Sequence, residues 1–210
     1  MKTLITYISL VALISTASAR TWTNTKGEEL QADYLRMEDE KTVKLRMTRG
    51  GKVFNYPLDQ LSDEDQSYIT EKLKAEKEAE VAKLLEDREA EWLEDSEEAK
   101  EEAETLKLNK LILFTGSDWC PPCMAMESKT FKERDFQEYA DEKLVLLRLD
   151  FPKGKKLKES LQKQNNELAK KYQLRGYPTM VITDSSGKEL GRTSGYLDIK
   201  EFIQFLEKYE

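Results

Sequence analysis

The sequence predicts a two-part chain: a small all-β domain, then a charged helix, then a layered α/β domain. Three observations carry that reading. From Glu89 onward, apolar runs of strand length alternate with segments of helical spacing in the order αβαβαββα, the pattern of one sheet covered by helices on both faces. Between Arg20 and Ile69, apolar residues fall on every second position, as in half-buried strands. Between Thr70 and Arg88 the composition turns to Glu, Lys, Ala and Leu, which favour helix. The boundaries that follow are a leader over 1–19, the β-rich part over 20–69, the helical linker over 70–88 and the α/β part over 89–210.

The leader has Lys2 as a positive start, an apolar stretch from Leu4 to Ile14, and Ala17-Ser18-Ala19 as a small-residue cleavage site. This is the layout of a secretory signal peptide. Cleavage is predicted after Ala19, and no later segment is apolar enough to span a membrane. Export would place the protein in a periplasmic or extracellular, oxidising compartment.

In the β-rich part, the alternating sets are Leu30, Ala32, Tyr34; Val43, Leu45, Met47; and Phe54, Tyr56, Leu58. Turn residues separate them at Thr25-Lys26-Gly27, Glu38 to Lys41 and Arg49-Gly50-Gly51. Ser62 then reads as the N-cap of a helix with Asp65 at its third position. The linker that follows carries Val81, Leu84 and Leu85 as a narrow apolar stripe, too short for a coiled coil. In the α/β part, Trp92, Ser96, Ala99, Ala103 and Leu106 share a helix face. Strands are predicted at Leu111–Thr115, Leu144–Asp150, Thr179–Thr183 and Glu189–Arg192. Further helices are predicted at Met124–Phe131, Leu157–Tyr172 and Leu197–Tyr209.

The formal net charge is -7, and residues 71–105 hold 15 acidic against 6 basic side chains. No basic stripe is present, so nucleic acid is not an expected partner. The chain has no histidine, which removes Ser-His-Asp and Cys-His nucleophiles and imidazole metal ligands. Two cysteines do not complete a zinc site. No metal or cofactor is expected.

Those two cysteines, Cys120 and Cys123, lie in Trp119-Cys120-Pro121-Pro122-Cys123. So short a loop restrains little of the unfolded chain, which argues against a purely structural bond. A strand before the pair and a helix after it put the first sulfur at a helix N-terminus, where the dipole and free N–H groups favour a thiolate. The thiolate is the species that attacks disulfides.

Four segments then make the α/β part resemble a thioredoxin-fold domain: Phe114 to Cys123, Leu149-Asp150, Arg175-Gly176-Tyr177-Pro178-Thr179, and Gly195-Tyr196. The resemblance implies that Cys120 attacks and Cys123, more buried, resolves the mixed disulfide. It implies a cis peptide bond at Pro178, with the Tyr177 backbone pairing an extended client and Trp119 as an aromatic platform beside Cys120. Client proteins bearing thiols or disulfides, and a membrane or soluble redox partner, are the implied partners. The sequence departs from the family where many members carry a buried acid six residues before the first Cys; here that residue is Phe114. Asp118 is the nearest substitute proton acceptor. The Lys153 to Lys158 cluster is read as a solvated loop opening into the Leu157–Tyr172 helix, with steering of acidic partners as the alternative.

The β-rich part resembles the Sla-homology family of small SH3-like barrels. The residues that carry this are Arg20 to Thr23, Gly27, Leu30 to Leu35, and Phe54 to Leu58 running into Leu61 to Gln66. It implies a protein-binding module; Trp22 and Tyr34 are read as core or rim residues of the small barrel, with a peptide groove lined by both as the alternative. Two functions are compatible with the whole: an exported thiol–disulfide oxidoreductase whose direction is left open, or a non-enzymatic adaptor whose Cys pair senses redox state.

Overall fold

The structure, a computed structural model, describes residues 20–210. The predicted leader and its cleavage site lie outside the described residues. The chain divides between Glu76 and Lys77 into two compact units.

The first unit is an antiparallel sheet of β1 (Arg20–Thr23), β2 (Glu29–Asp39), β3 (Thr42–Met47) and β4 (Val53–Pro57) in sequence order. Gly50 and Gly51 both take positive φ (82° and 64°) in the β3–β4 turn, a conformation that favours glycine. Two irregularities of register, near Leu35 and Glu38, bend β2. No ladder joins β1 to β4 among the described residues. Instead, an isolated bridge pairs Asn24 with Leu61, and Ser62 N–H donates to Thr23 O. The core is small: Trp22, Ala32, Val43, Leu45, Leu61 and Ile69. Helix α1 (Asp63–Leu85) begins after Ser62, whose Oγ accepts the Asp65 N–H at 3.3 Å. The predicted helix start and the predicted helical segment from Thr70 are thus one element.

Trp22 lies in the core, the reading the sequence favours over a groove. Its ring is 1 % exposed and its indole N–H donates to Ala32 O at 2.8 Å. The alternation of β1 turns it inward, and burying so large a ring is what such a thin core most needs. Tyr34 is half-buried beside the same cluster, with Lys72 Nζ 5.5 Å from its ring centroid.

The second unit is built on a five-stranded sheet. Its strands are β5 (Trp92–Leu93), β6 (Asn109–Thr115), β7 (Leu144–Asp150), β8 (Thr179–Thr183) and β9 (Glu189–Ser194), in spatial order β5-β7-β6-β8-β9. β5, β7 and β6 run parallel, and β8 and β9 are antiparallel to their neighbours. Alternation along the strands builds two cores. Leu111, Leu113, Leu146, Met180 and Ile182 face α3 (Pro121–Lys129), α4 (Arg134–Lys143) and α6 (Ile199–Leu206). Ile112, Phe114, Val145, Leu147 and Val181 face α2 (Ser96–Leu106) and α5 (Glu159–Lys171). Sheets buried on both faces read as continuous apolar runs, as β6 and β7 do.

Three elements differ from the sequence reading. Trp92 is not helical: Asp95 caps α2 by accepting the Glu97 and Glu98 N–H groups, so the helix starts at Ser96. Trp92 pairs instead with Leu146 at the sheet edge and packs on Phe131 and Phe136. Helix α3 begins at Pro121, three residues earlier than predicted, and ends at Lys129. Helix α4 has no counterpart in the sequence reading, although Phe136 and Ala140 mark its buried face.

Arg88 is a structural anchor of this unit. Its guanidinium donates to Glu102 Oε1 and to the carbonyls of Ala140, Asp141 and Leu144. It thereby satisfies backbone acceptors left open at the end of α4.

Candidate functional site

Strand β6 delivers the chain to the C-terminal edge of the sheet, where Gly116 turns it. A Cβ on Gly116 would stand 2.5 Å from the indole of Trp119, so glycine is required for Trp119 to fold back over the turn. Cys120 N–H donates to Gly116 O at 3.0 Å, closing the loop and setting Cys120 as the N-cap of α3.

Cys120 and Cys123 form a disulfide with Cα atoms 5.2 Å apart. The Cys123 N–H donates to Cys120 Sγ at 3.3 Å. Pro121 and Pro122 occupy the first two helical positions and have no N–H. The Cys123 amide is therefore the first backbone donor that α3 offers the sulfur, and a donor there favours the thiolate. Burial does not rank the two cysteines as expected. Each is 3 % exposed.

The predicted platform residues come together. The Trp119 ring meets the Tyr177 ring edge-on at 5.5 Å, Tyr177 meets Phe151 at 5.3 Å, and Trp119 Nε1–H donates to Phe151 O at 2.8 Å. The Tyr177–Pro178 bond is cis. Pro178 O accepts the Gly195 N–H at 2.9 Å, which ties this loop to β9. Burial pushes the Tyr177 phenol pKa up, so it stays neutral here.

Asp118 does something other than serve the thiols. Its carboxylate accepts the N–H groups of Lys153 (2.9 Å) and Gly154 (2.5 Å). Those bonds hold it below the usual carboxylate range, which makes it a poor proton acceptor and a good loop clamp. Phe114 is fully buried against Tyr172. The buried carboxylate at this end of the sheet lies one strand over. Asp150, in register with Thr115, accepts both the N–H (2.9 Å) and the Oγ–H (2.7 Å) of Ser117 and pairs with Lys155 Nζ at 3.1 Å. It fixes the turn that leads to Cys120. The sequence shows Asp150 as an acid ending an apolar run, a signal that marks it without revealing its partner.

The chain matches the family model of the thioredoxin-like domain over residues 94–210 and belongs to that family. Among curated proteins it is 35 % identical over 81 residues to the disulfide bond reductase DsbH of Chlamydia pneumoniae, covering 39 % of this chain and 49 % of that one. It is 33 % identical over 101 residues to the thiol:disulfide interchange protein DsbD of Actinobacillus pleuropneumoniae serotype 5b (strain L20), covering 47 % of this chain and 16 % of that one. The matches thus span half or less of these relatives. A solved structure titled DsbH oxidoreductase superposes with a TM-score of 0.52 at 27 % identity, covering 57 % of this chain and 83 % of that chain.

Proposed function

We propose that this protein is an exported thiol–disulfide oxidoreductase that reduces disulfides in client proteins. The observation that carries the reading is the Cys120–Cys123 pair at the N-terminus of α3, with the Cys123 amide on the Cys120 sulfur. The name of the DsbH relative, a disulfide bond reductase, supports the reductive direction.

In the dithiol form, the Cys120 thiolate attacks a client disulfide and releases one client thiolate. Cys123, deprotonated, then attacks Cys120 Sγ and releases the second. The client gains two electrons and two protons, and the pair leaves as the disulfide. A membrane or soluble redox partner returns the electrons. Trp119, Tyr177 and Pro178 form the wall along which the client chain lies, with the Tyr177 backbone as its pairing edge. The leader over 1–19 directs export. No helix of the described residues is long and apolar enough to cross a membrane.

The N-terminal sheet is proposed as an SH3-like barrel that binds a peptide. With Trp22 inside, the support for a ligand site is a depression of about 210 Å³ bordered by Thr23, Asn24, Leu30 and Tyr56. The Cys123→Ala protein, expressed in its own host, should trap clients as mixed disulfides through Cys120. Extracts with no such adducts would favour the adaptor instead. An equilibrium potential near the thioredoxin value of roughly -270 mV fits a reductase, whereas one near roughly -120 mV would reverse the assigned direction.

A further inference from the structure

Residues 151–158, Phe-Pro-Lys-Gly-Lys-Lys-Leu-Lys, hold four lysines and no acid in a chain whose net charge is -7. The structure pins this loop to the segment that carries Cys120. Phe151 N–H donates to Thr115 O, and Trp119 Nε1–H donates to Phe151 O. Asp118 holds the Lys153 and Gly154 amides. A Cβ on Gly154 would lie 2.9 Å from that carboxylate, so the close approach needs glycine. Lys153 Nζ stands 3.9 Å from the centroid of the Trp119 ring, and Lys155 Nζ reaches Asp150 beneath the same turn. Lys156 and Lys158 follow, both exposed, and Arg175 is exposed two residues before Tyr177.

We infer that this rim selects clients, and that the occupant it fits is a polypeptide with acidic residues flanking its cysteines. The inference rests on the oxidoreductase reading above and names the client class for that same site. Lys155 is neutralised by Asp150 and Asp118 is occupied by backbone donors, so Lys153, Lys156, Lys158 and Arg175 supply the field that an approaching chain meets. Exposed cations on the loop bonded to the Cys120-bearing segment raise the encounter rate of oppositely charged partners and slow like-charged ones.

The test is single-turnover electron transfer from the full-length protein, pre-reduced with dithiothreitol and desalted. The probes are three synthetic peptides, each with one internal disulfide flanked by glutamates, by lysines or by glutamines. The Cys120–Cys123 dithiol supplies both electrons, and acid quenching with thiol alkylation reads the product. At an ionic strength of about 0.01 M the glutamate peptide should react about tenfold or more faster than the lysine peptide. The ratio should approach one at about 1 M, where the Debye length is about 3 Å. In K156Q/K158Q, with Lys153 left on Trp119, the low-salt ratio should fall several-fold. Equal rates for all three peptides at low salt, or an unchanged ratio in the variant, would overturn the rim while leaving the redox chemistry standing. Transfer to none of the peptides would overturn the oxidoreductase reading itself and the inference with it.

Discussion

Each unit of this protein holds a tryptophan, a buried aspartate and a cation, and the two sets behave differently. In the N-terminal sheet, Trp22 is sealed in the core, and Arg20 binds Asp65 at 2.8 Å while lying 4.1 Å from the Tyr68 ring centroid. Asp65 also accepts the Thr23 N–H at 2.6 Å, so the trio fastens α1 to β1. In the C-terminal unit, Trp119 is half-buried beside a disulfide, and the Lys155 side chain that pairs with Asp150 is 58 % exposed. Both indoles donate to a backbone carbonyl at 2.8 Å. The residue types are shared, but one set closes a core and the other holds open an edge where sulfur chemistry can occur. What separates them is how much water reaches the cation.

The contrast can be broken most completely at the sulfur. Cys120→Ser should abolish disulfide exchange, because it removes the attacking sulfur and leaves Cys123 no partner with which to close the intramolecular disulfide, while thermal unfolding of the N-terminal sheet stays in place. Differential scanning calorimetry with a parallel disulfide-reduction assay checks both halves. Next in size, Trp22→Ala should cost about 3–5 kcal/mol of stability, the range for deleting a large core ring. Urea unfolding followed through the N-terminal sheet measures it, and a loss below about 1 kcal/mol would mean the ring is not the keystone of that core.

The cation arms give the sharpest comparison. Arg20→Ala leaves Asp65 buried with a lost partner and should cost about 3 kcal/mol, the lower end for breaking a buried pair, since Thr23 still donates to it. Lys155→Ala removes a mostly exposed partner and should cost less than about 1 kcal/mol. Equal losses would erase the distinction. The smallest effect belongs to Asp118. Its pKa is lower folded than unfolded, so the unfolded chain binds the proton first as pH falls. The stabilisation is present above the ordinary aspartate value of about 3.9 and is lost as pH drops through the folded value. Amide exchange at Lys153 and Gly154, corrected for intrinsic rates, should therefore accelerate only below about pH 4. Acceleration near neutrality would exclude Asp118 as the clamp.

Local sequence determined much of this protein. Alternation placed β2 to β4, and the continuous apolar runs of β6, β7 and β8 announced a sheet buried on both faces. Cys120, Cys123 and Pro178 were legible because their spacing and neighbours are local properties. Helix α4 was missed because Phe136 and Ala140 are only two apolar marks in a strongly charged stretch. Trp92 was misplaced because helical spacing and a two-residue edge strand look alike until Asp95 caps the helix. Tertiary structure alone decided the rest. Trp119 stayed at the rim, Asp118 turned to Lys153 and Gly154, Asp150 took Ser117, and both cysteines ended equally buried. Each of these depends on a partner far along the chain or on the water that packing excludes, and neither is written in the spacing of the chain.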